Sequence, residues 1–262
     1  MGGEKMSNKE MVVSQFGGNA GKYVKSKGHA KGKDLAVLAE IAEENRGGKL
    51  LDVATGGGHV ANKLAPVFQE VTAFDLTPQM LQSAEGFIKE NGYENVSFVQ
   101  GDAEDMPFQD DEFDTVTCRI APHHFPNIKQ FIKEVYRVLK PGGQFLLIDN
   151  VAPEVNAYDE FYNRVEKTRD PSHYRAYKKT EWLSMLEMQG FRTEVLTTFS
   201  KRFLFDDWCG MMNVSEETKR ELTQYMLNIP SGFKQFFDIK TNQQGIESFQ
   251  GEAIFVACCK NK

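Results

Sequence analysis

The sequence is poor in cysteine, has no excess of basic residues and contains no long apolar run. Only four of its 262 residues are cysteines, and none of them forms a C-x-x-C pair. The net charge of −6 argues against a dedicated nucleic-acid binder, which usually carries a basic surface. No apolar run approaches the roughly 20 residues of a membrane helix, and the first residues lack the apolar core of a secretory signal. We therefore expect a reduced, cytoplasmic protein with no membrane insertion and no metal site.

One stretch of the sequence, residues 49–61, is typical of a ligand-binding turn. Its first half is apolar and predicts a short buried strand, after which come three consecutive glycines and a helix expected from His59. This order of elements brings backbone N–H groups and a helix N-terminus against a nucleotide-like ligand. Glycine suits the turn because a side chain there would hold the ligand away from the backbone.

Strands and helices alternate after this turn. Further buried strands are predicted near residues 71–75, 96–99, 113–118 and 145–148, with amphipathic helices between them. The pattern becomes looser beyond Asp149, where a sixth strand is predicted over residues 191–198 and a seventh over 253–258. This alternation predicts an α/β fold with a doubly wound, mostly parallel sheet.

The domain organisation follows from the segments outside this pattern. Residues 1–33, the N-terminal arm, are polar and could form either a solvated arm or one that folds over a bound cofactor and offers Tyr23 and His29 for contacts. Residues 204–248 are rich in aromatic residues and methionine and are too long for a hairpin loop. We predict that they form a helical cap, inserted into a main domain of residues 34–203 and 249–262.

Five motifs carry a family resemblance. They are L-L-D-V-A-T-G-G-G-H from Leu50, V-T-A-F-D-L-T-P-Q-M-L from Val71, G-D-A-E-D-M-P-F from Gly101, F-D-T-V-T-C-R-I-A-P-H-H-F from Phe113 and V-L-K-P-G-G-Q-F-L-L-I-D from Val138. Over residues 35–150 this succession resembles the class I S-adenosylmethionine-dependent methyltransferases. It is most similar to the branch that includes the ubiquinone/menaquinone-biosynthesis C-methyltransferases. The R-D-P-S-H stretch at residues 169–173 resembles uncharacterised bacterial methyltransferases of that branch.

The resemblance implies a seven-stranded sheet whose last strand runs antiparallel, and S-adenosylmethionine as the cofactor. Asp75 would accept the ribose hydroxyls, Asp102 would contact the adenine, and Asp52 would support the glycine turn. Arg119 departs from the smaller residue that is usual in the family, and it could pair with the cofactor carboxylate or with an acid of the substrate. The candidate cofactor-binding residues are Asp52, Gly56, Gly57, Gly58, Asp75, Leu76, Asp102, Ala103 and Arg119.

The acceptor side of the site is expected just past the fourth strand. His123 and His124 lie there, and either could be a general base or a residue that fixes the loop. The arm, residues 153–179 and the cap should converge as a roof above the transferred methyl group, although the same side chains could instead form the cap's own core or a homodimer interface. The candidate substrate-binding residues are Tyr23, Arg169, His173 and Arg175. We expect a small-molecule acceptor, because no N/D-P-P-Y motif follows the fourth strand.

Two other functions remain open on the sequence alone. Gly56, Gly58 and Ala61 satisfy the G-x-G-x-x-A fingerprint of an NAD(P)-dependent oxidoreductase, with Asp75 at a suitable distance. The motifs from Gly101 and Val138 have no part in that fingerprint, which favours methyl transfer. The second alternative is a cofactor-binding module without transfer activity, since methyl transfer needs few dedicated side chains.

Overall fold

The computed structural model describes residues 6–25, 32–243 and 245–261, and eight strands within these ranges form one sheet. The strands are β1 (Lys49–Val53), β2 (Glu70–Asp75), β3 (Val96–Gln100), β4 (Phe113–Arg119), β5 (Leu139–Val151), β6 (Phe191–Leu204), β7 (Lys240–Asn242) and β8 (Gly245–Lys260). Their order is β3-β2-β1-β4-β5-β8-β6, with β7 paired to β8. Strands β1 to β5 pair in parallel, whereas β8 runs antiparallel between β5 and β6.

This topology confirms the predicted α/β fold with its antiparallel last strand. Strands β6 and β8 extend well beyond the predicted ranges. They pair with each other from Phe191, opposite Lys260, to Leu204, opposite Ser248, and so continue past the end of β5. The sequence did not indicate this extension, because residues 200–202 of β6 are polar. The short strand β7 was not predicted, and it has no buried residue that could mark it.

Helices cover both faces of the sheet. They are α1 (Asn8–Gly17), α2 (Ala20–Lys25), α3 (Lys33–Ala42), α4 (His59–Leu64), α5 (Pro78–Glu90), α6 (Ile128–Val138), α7 (Asn156–Arg169), α8 (Lys179–Gln189), α9 (Phe205–Met211), α10 (Glu216–Leu227) and α11 (Ser231–Phe236). Leu38, Leu64 and Ile88 belong to the core on one face, and Val135 and Trp182 to the core on the other. Burying each such side chain contributes roughly 1.5–3 kcal/mol. None of the helices in the described ranges is long and apolar enough to span a bilayer.

A third apolar cluster joins the cap to the extension of the sheet. Trp208 of α9 and Leu222 of α10 pack with Phe161 of α7 and Phe249 of β8. Residues 204–248 thus contain three helices and β7, and they lie on the long β6–β8 hairpin. The division of the chain into arm, main domain and cap stays a prediction.

The N-terminal arm contains an ordered helix rather than only solvated chain. Ser7 caps α1, since its side chain accepts a hydrogen bond from the backbone N–H of Glu10 while the Glu10 carboxylate accepts one from the Ser7 N–H. Helices α1 and α2 both contact α5, so the described part of the arm packs against the rest of the protein. That the arm folds over a bound cofactor stays a prediction. His29 lies outside the described residues.

Candidate functional site

A cavity opens at the carboxyl ends of β1, β2 and β4, beneath α1. Its wall contains eight of the nine predicted cofactor residues, namely Asp52, Gly56, Gly57, Asp75, Leu76, Asp102, Ala103 and Arg119. Parallel strands bring their carboxyl ends to one edge of a sheet, and this geometry explains why residues spread over the sequence meet there.

Gly58 is the exception, because it serves packing and does not line the cavity. It has a φ of 78°, and a Cβ at this position would lie 2.9 Å from the Cβ of Ala84 and 3.0 Å from Cδ1 of Ile88 on α5. Glycine is therefore required for the close approach of the turn to α5. Cofactor contact by Gly58 stays a prediction.

The buried carboxylate of Asp52 holds the glycine turn together. It accepts hydrogen bonds from the hydroxyls of Thr55 at 2.6 Å and Thr117 at 2.8 Å, and from the backbone N–H of Ala61 at 3.2 Å. Burial raises the pKa of Asp52 to about 6 despite these donors. The sequence-based role of Asp52, support of the turn, agrees with these contacts.

Asp75 links the turn to the end of β2. Its Oδ2 accepts from the backbone N–H of Gly56 at 2.8 Å, and its Oδ1 accepts from the backbone N–H of Thr77 at 2.8 Å. Burial raises the pKa of this carboxyl. Each carboxylate oxygen has a further lone pair, so the group can also accept two hydroxyls from the cavity. This acceptor group suits a ribose diol.

The third carboxylate of the wall, Asp102, contacts the N-terminal arm. Its Oδ1 accepts from the backbone N–H of Glu104 at 2.9 Å. The ammonium of Lys9 lies 2.5 Å from Asp102 Oδ2 and 2.5 Å from Glu104 Oε2. An adenine amine that reaches Asp102 would therefore share this carboxylate with Lys9.

Helix α1 covers the cavity through several contacts. Lys9, Val12 and Phe16 line the cavity, and the side chain of Asn8 donates to the backbone oxygens of His124 at 3.2 Å and Ser172 at 2.8 Å. The sequence pattern did not indicate that these residues line the cavity. Their spacing of three and four residues places them on one helix face, but the surrounding polar residues made the pattern weak.

Of the three segments predicted to form a roof above the cavity, only the arm lines it within the described residues. The Gln15 side chain donates to the backbone oxygen of Met212 at 3.0 Å, so the arm does contact the cap. Among the described lining residues, however, none comes from residues 153–179 or 204–248. The arm forms the roof, and the other two segments support it from outside.

Arg119 lies at the cavity wall and forms a buried ion pair. Its Nε donates to Asp34 Oδ2 of α3 at 2.8 Å. Although burial opposes it, Arg119 lowers the pKa of Asp34 below its usual value. This ion pair orients the guanidinium at the cavity, so that its position is fixed before any ligand arrives.

The two adjacent histidines have different surroundings. His124 lines the cavity, with its ring 5.0 Å from that of Phe16, whereas His123 lies behind it with Nδ1 2.6 Å from Asp149 Oδ1. Burial, and then the charge of His123, lower the pKa of His124 to about 3. Burial also opposes the charged form of His123, but Asp149 outweighs it and raises the pKa of His123. His124 therefore lies at the cavity and His123 does not, and a catalytic role for either histidine stays a prediction.

Three predicted substrate contacts lie outside the cavity wall, because other residues already bind them. Arg169 pairs with Glu166 at 3.0 Å, His173 Nε2 lies 2.9 Å from Asn163 Oδ1, and Arg175 pairs with Asp159 and Glu181. These contacts hold α7 and the loop after it, and substrate contact by Arg169, His173 or Arg175 stays a prediction. Tyr23 belongs to α2, but its side chain lies outside the described part of the structure.

The wall fits the cofactor that the motifs imply. It offers a glycine turn with exposed backbone, a carboxylate at the end of β2 and another carboxylate after β3. Gly56 has a φ of 54°, a backbone conformation that most side chains disfavour, which keeps the turn open to a ligand. Among the described residues, no group of His, Cys, Asp and Glu could hold a metal ion.

Comparisons with known proteins agree with this site. A family profile described as a methyltransferase domain matches residues 44–190. The chain is 36% identical to the uncharacterized methyltransferase YcgJ of Bacillus subtilis (strain 168), over 88% of this chain and 91% of that protein. It is 33% identical to the ubiquinone/menaquinone biosynthesis C-methyltransferase UbiE of Brucella canis, over 62% of this chain and 69% of that protein. The solved structure of a proposed methyltransferase from Bacillus halodurans C-125 is 53% identical with a TM-score of 0.86, covering 88% of this chain and 100% of that one.

Proposed function

Since the chain belongs to the methyltransferase-domain family and is an S-adenosylmethionine-dependent methyltransferase, we propose that it methylates a small molecule in the cavity beneath α1. The observation that carries this proposal is the closure of the cavity by Lys9, Val12 and Phe16. A cavity roofed by its own N-terminal helix suits an acceptor that can be enclosed, rather than a base within a polymer. The comparisons give no support to the oxidoreductase alternative.

Different cavity residues contact different parts of the cofactor. Asp75 accepts the ribose hydroxyls, and Asp102 with the backbone of Ala103 contacts the adenine. Gly56 and Gly57 bring the backbone against the methionyl part, where Arg119 can pair with the carboxylate. When bound, S-adenosylmethionine supplies an electrophilic methyl group on its sulfonium. The sulfur keeps the electrons of the broken C–S bond and leaves as a neutral thioether.

The remaining residues position the acceptor and exclude water. Phe16 and His124 form the wall on the acceptor side, and α1 closes the cavity above them. Holding the nucleophile in line with the methyl group can lower the barrier by as much as roughly 7–11 kcal/mol. With a pKa of about 3, His124 is neutral near pH 7 and a weak base. It therefore serves to orient a hydroxyl or amine of the acceptor through a hydrogen bond, and His123 fixes its ring from behind.

Three finer expectations belong to this proposal. The acceptor is not a nucleic acid, the protein works in the cytoplasm, and a homodimer could form through the cap. The acidic net charge supports the first, and the four free cysteines support the second.

A labelled-methyl experiment tests the proposed function. The protein is incubated with S-adenosylmethionine that carries a ¹³C-methyl group, together with cell extract separated into low-mass, protein and nucleic-acid fractions. We expect label in a low-mass product, and much less of it when Asp75→Ala replaces the wild type at a low concentration of S-adenosylmethionine. Label confined to the nucleic-acid or protein fraction would contradict the small-molecule proposal.

A further inference from the structure

The central residues of the R-D-P-S-H stretch, 169–173, have no role in the function described so far. The stretch begins the loop that follows α7, and this loop packs against the turn that carries the two adjacent histidines. The backbone N–H groups of residues 174 and 175 donate to the carbonyl oxygen of His123 at 2.8 and 3.0 Å. This contact brings the stretch beside the ring of His124.

Three buried side chains, those of Asp170, Ser172 and His124, form a chain of hydrogen bonds that reaches the cavity. Asp170 Oδ1 lies 2.6 Å from Ser172 Oγ and 2.8 Å from the backbone nitrogen of Ser172. Ser172 Oγ lies 3.3 Å from His124 Nδ1. Since His124 lines the cavity, the chain connects a buried carboxylate with the acceptor side of the site.

The donors available decide the direction of these hydrogen bonds. The Asp170 carboxylate can only accept, and Ser172 has a single hydroxyl proton. That proton goes to Asp170, because the distance of 2.6 Å is the shorter one and a charged acceptor makes the stronger hydrogen bond. Ser172 Oγ then has only lone pairs left for His124, so Nδ1 must carry the ring proton.

The other ring nitrogen of His124 keeps its lone pair when the ring is neutral. Burial, and then the charge of His123, lower the pKa of His124 to about 3, so the ring carries one proton near pH 7. Nε2 lies 3.9 Å from Asp170 Oδ2, which is beyond hydrogen-bond range, and no other described residue bonds to it. Nε2 is therefore the nitrogen that can accept a hydrogen bond from a ligand.

Helix α1 holds Ser172 and His124 next to each other. The Asn8 side chain donates to the backbone oxygens of both residues, at 2.8 Å for Ser172 and 3.2 Å for His124. Phe16 meets the His124 ring edge to face, with an interplanar angle of 80°. The orientation of the ring is thus set by the arm as well as by Ser172.

We propose that Ser172 is a positioning residue for methyl transfer, which together with Asp170 fixes the proton of His124 at Nδ1 and leaves Nε2 to accept a hydrogen bond from the acceptor. This inference rests on the proposed function and narrows the class of acceptor. The group that meets His124 is a hydrogen-bond donor, an O–H or N–H that still holds its proton. A carbonyl, carboxylate or ether oxygen has no proton to offer Nε2.

The test is ¹⁵N NMR of protein labelled in its histidine rings, with S-adenosylhomocysteine bound near pH 7. His124→Gln identifies the signals of His124 among the five histidines. We expect wild type to show a protonated Nδ1 and an unprotonated Nε2. Ser172→Ala should shift part of the proton to Nε2, because it removes the partner of Nδ1. Ser172→Thr, which keeps the hydroxyl, and the exposed control Ser184→Ala should retain the wild-type signals.

Methyl transfer provides a second measurement. With ¹³C-methyl-labelled S-adenosylmethionine at saturation and the low-mass fraction of the extract, we expect roughly two- to tenfold less product from Ser172→Ala than from Ser172→Thr, as the loss of one hydrogen bond would give.

The outcomes separate this inference from the proposed function. A proton at Nε2 of wild-type His124, with or without one at Nδ1, would overturn the role of Ser172, and this result depends on no variant. Unchanged His124 signals in Ser172→Ala would overturn it too. In either case binding of S-adenosylhomocysteine by wild type in calorimetry would leave the proposed function standing. Failure of wild type to bind it would remove the proposed function, and this inference with it.

Discussion

At the scale of single residues, burial and neighbours give identical side chains different chemistry. His123 and His124 are adjacent and both buried, with ring centroids 4.2 Å apart. Asp149 favours the charged form of the first, while burial and the first ring disfavour the charged form of the second. The sequence could mark the pair as candidates, but it could not assign their charges, because Asp149 reaches His123 only through the fold.

The pH dependence of stability should reveal the neutral His124. Its pKa in the folded state, about 3, lies below the unfolded value near 6.5. The unfolded state therefore binds the proton more readily, and stability is lost as pH falls below 6.5. Between pH 6.5 and 5 we expect the wild type to lose roughly 1–2 kcal/mol through this group.

Urea unfolding of wild type and His124→Gln at these two pH values measures this contribution. The variant should show a smaller loss over the same interval, since glutamine does not titrate, whatever its stability at pH 6.5. His123 has the opposite sign, because its raised pKa adds stability that is lost only as pH rises through that value. An equal loss of unfolding free energy in the two proteins between pH 6.5 and 5 would contradict the lowered pKa of His124.

Gly58 supplies a second test at this scale. Gly58→Ala should reduce the free energy of unfolding by roughly 1–3 kcal/mol, because φ is 78° and the new methyl group would lie 2.9 Å from Ala84. Gly86→Ala is the matched control on the same helix pair, since α5 has open space there. The control should be neutral or slightly stabilising. Equal stabilities of the two variants in urea would show that the close approach at Gly58 is not a constraint.

At the scale of elements, sequence pattern predicted the parallel strands well and the arm poorly. Strands β1, β4 and β5 are nearly fully buried, so they appear in the sequence as short apolar runs. Helix α1 has no buried residue and lacks a marked apolar face. Its position depends on individual contacts from Lys9, Asn8 and Gln15 to distant residues, and no local pattern encodes such contacts.

The contacts of Lys9 predict how firmly α1 closes the cavity. Lys9→Met removes both ion pairs to Asp102 and Glu104, although partial exposure limits each to about 1 kcal/mol or less. We expect limited proteolysis to cut residues 1–33 a few times faster than in wild type, with S-adenosylhomocysteine restoring part of the protection. Lys63→Met, at an exposed position of α4, is the control. Identical cleavage rates for all three proteins would show that α1 is held by other contacts alone.

At the scale of the whole molecule, the topology was predictable because the order of motifs fixes it. Asp52, Asp75 and Asp102 lie at or after the ends of three different parallel strands, so predicting the strands also placed these residues at one edge. The substrate side was not predictable in the same way. Arg169, His173 and Arg175 looked like ligand contacts in the sequence, but the fold gives each of them an internal partner.

The cavity beneath α1 is expected to bind S-adenosylmethionine through Asp75. Titration calorimetry with S-adenosylhomocysteine measures this directly for wild type, Asp75→Ala and the control Asp207→Ala, which is exposed on α9. We expect binding by wild type and control, a loss of roughly 1–3 kcal/mol for Asp75→Ala, and no comparable affinity for NAD⁺. Unchanged affinity in Asp75→Ala, or equal affinity of the wild type for NAD⁺, would contradict it.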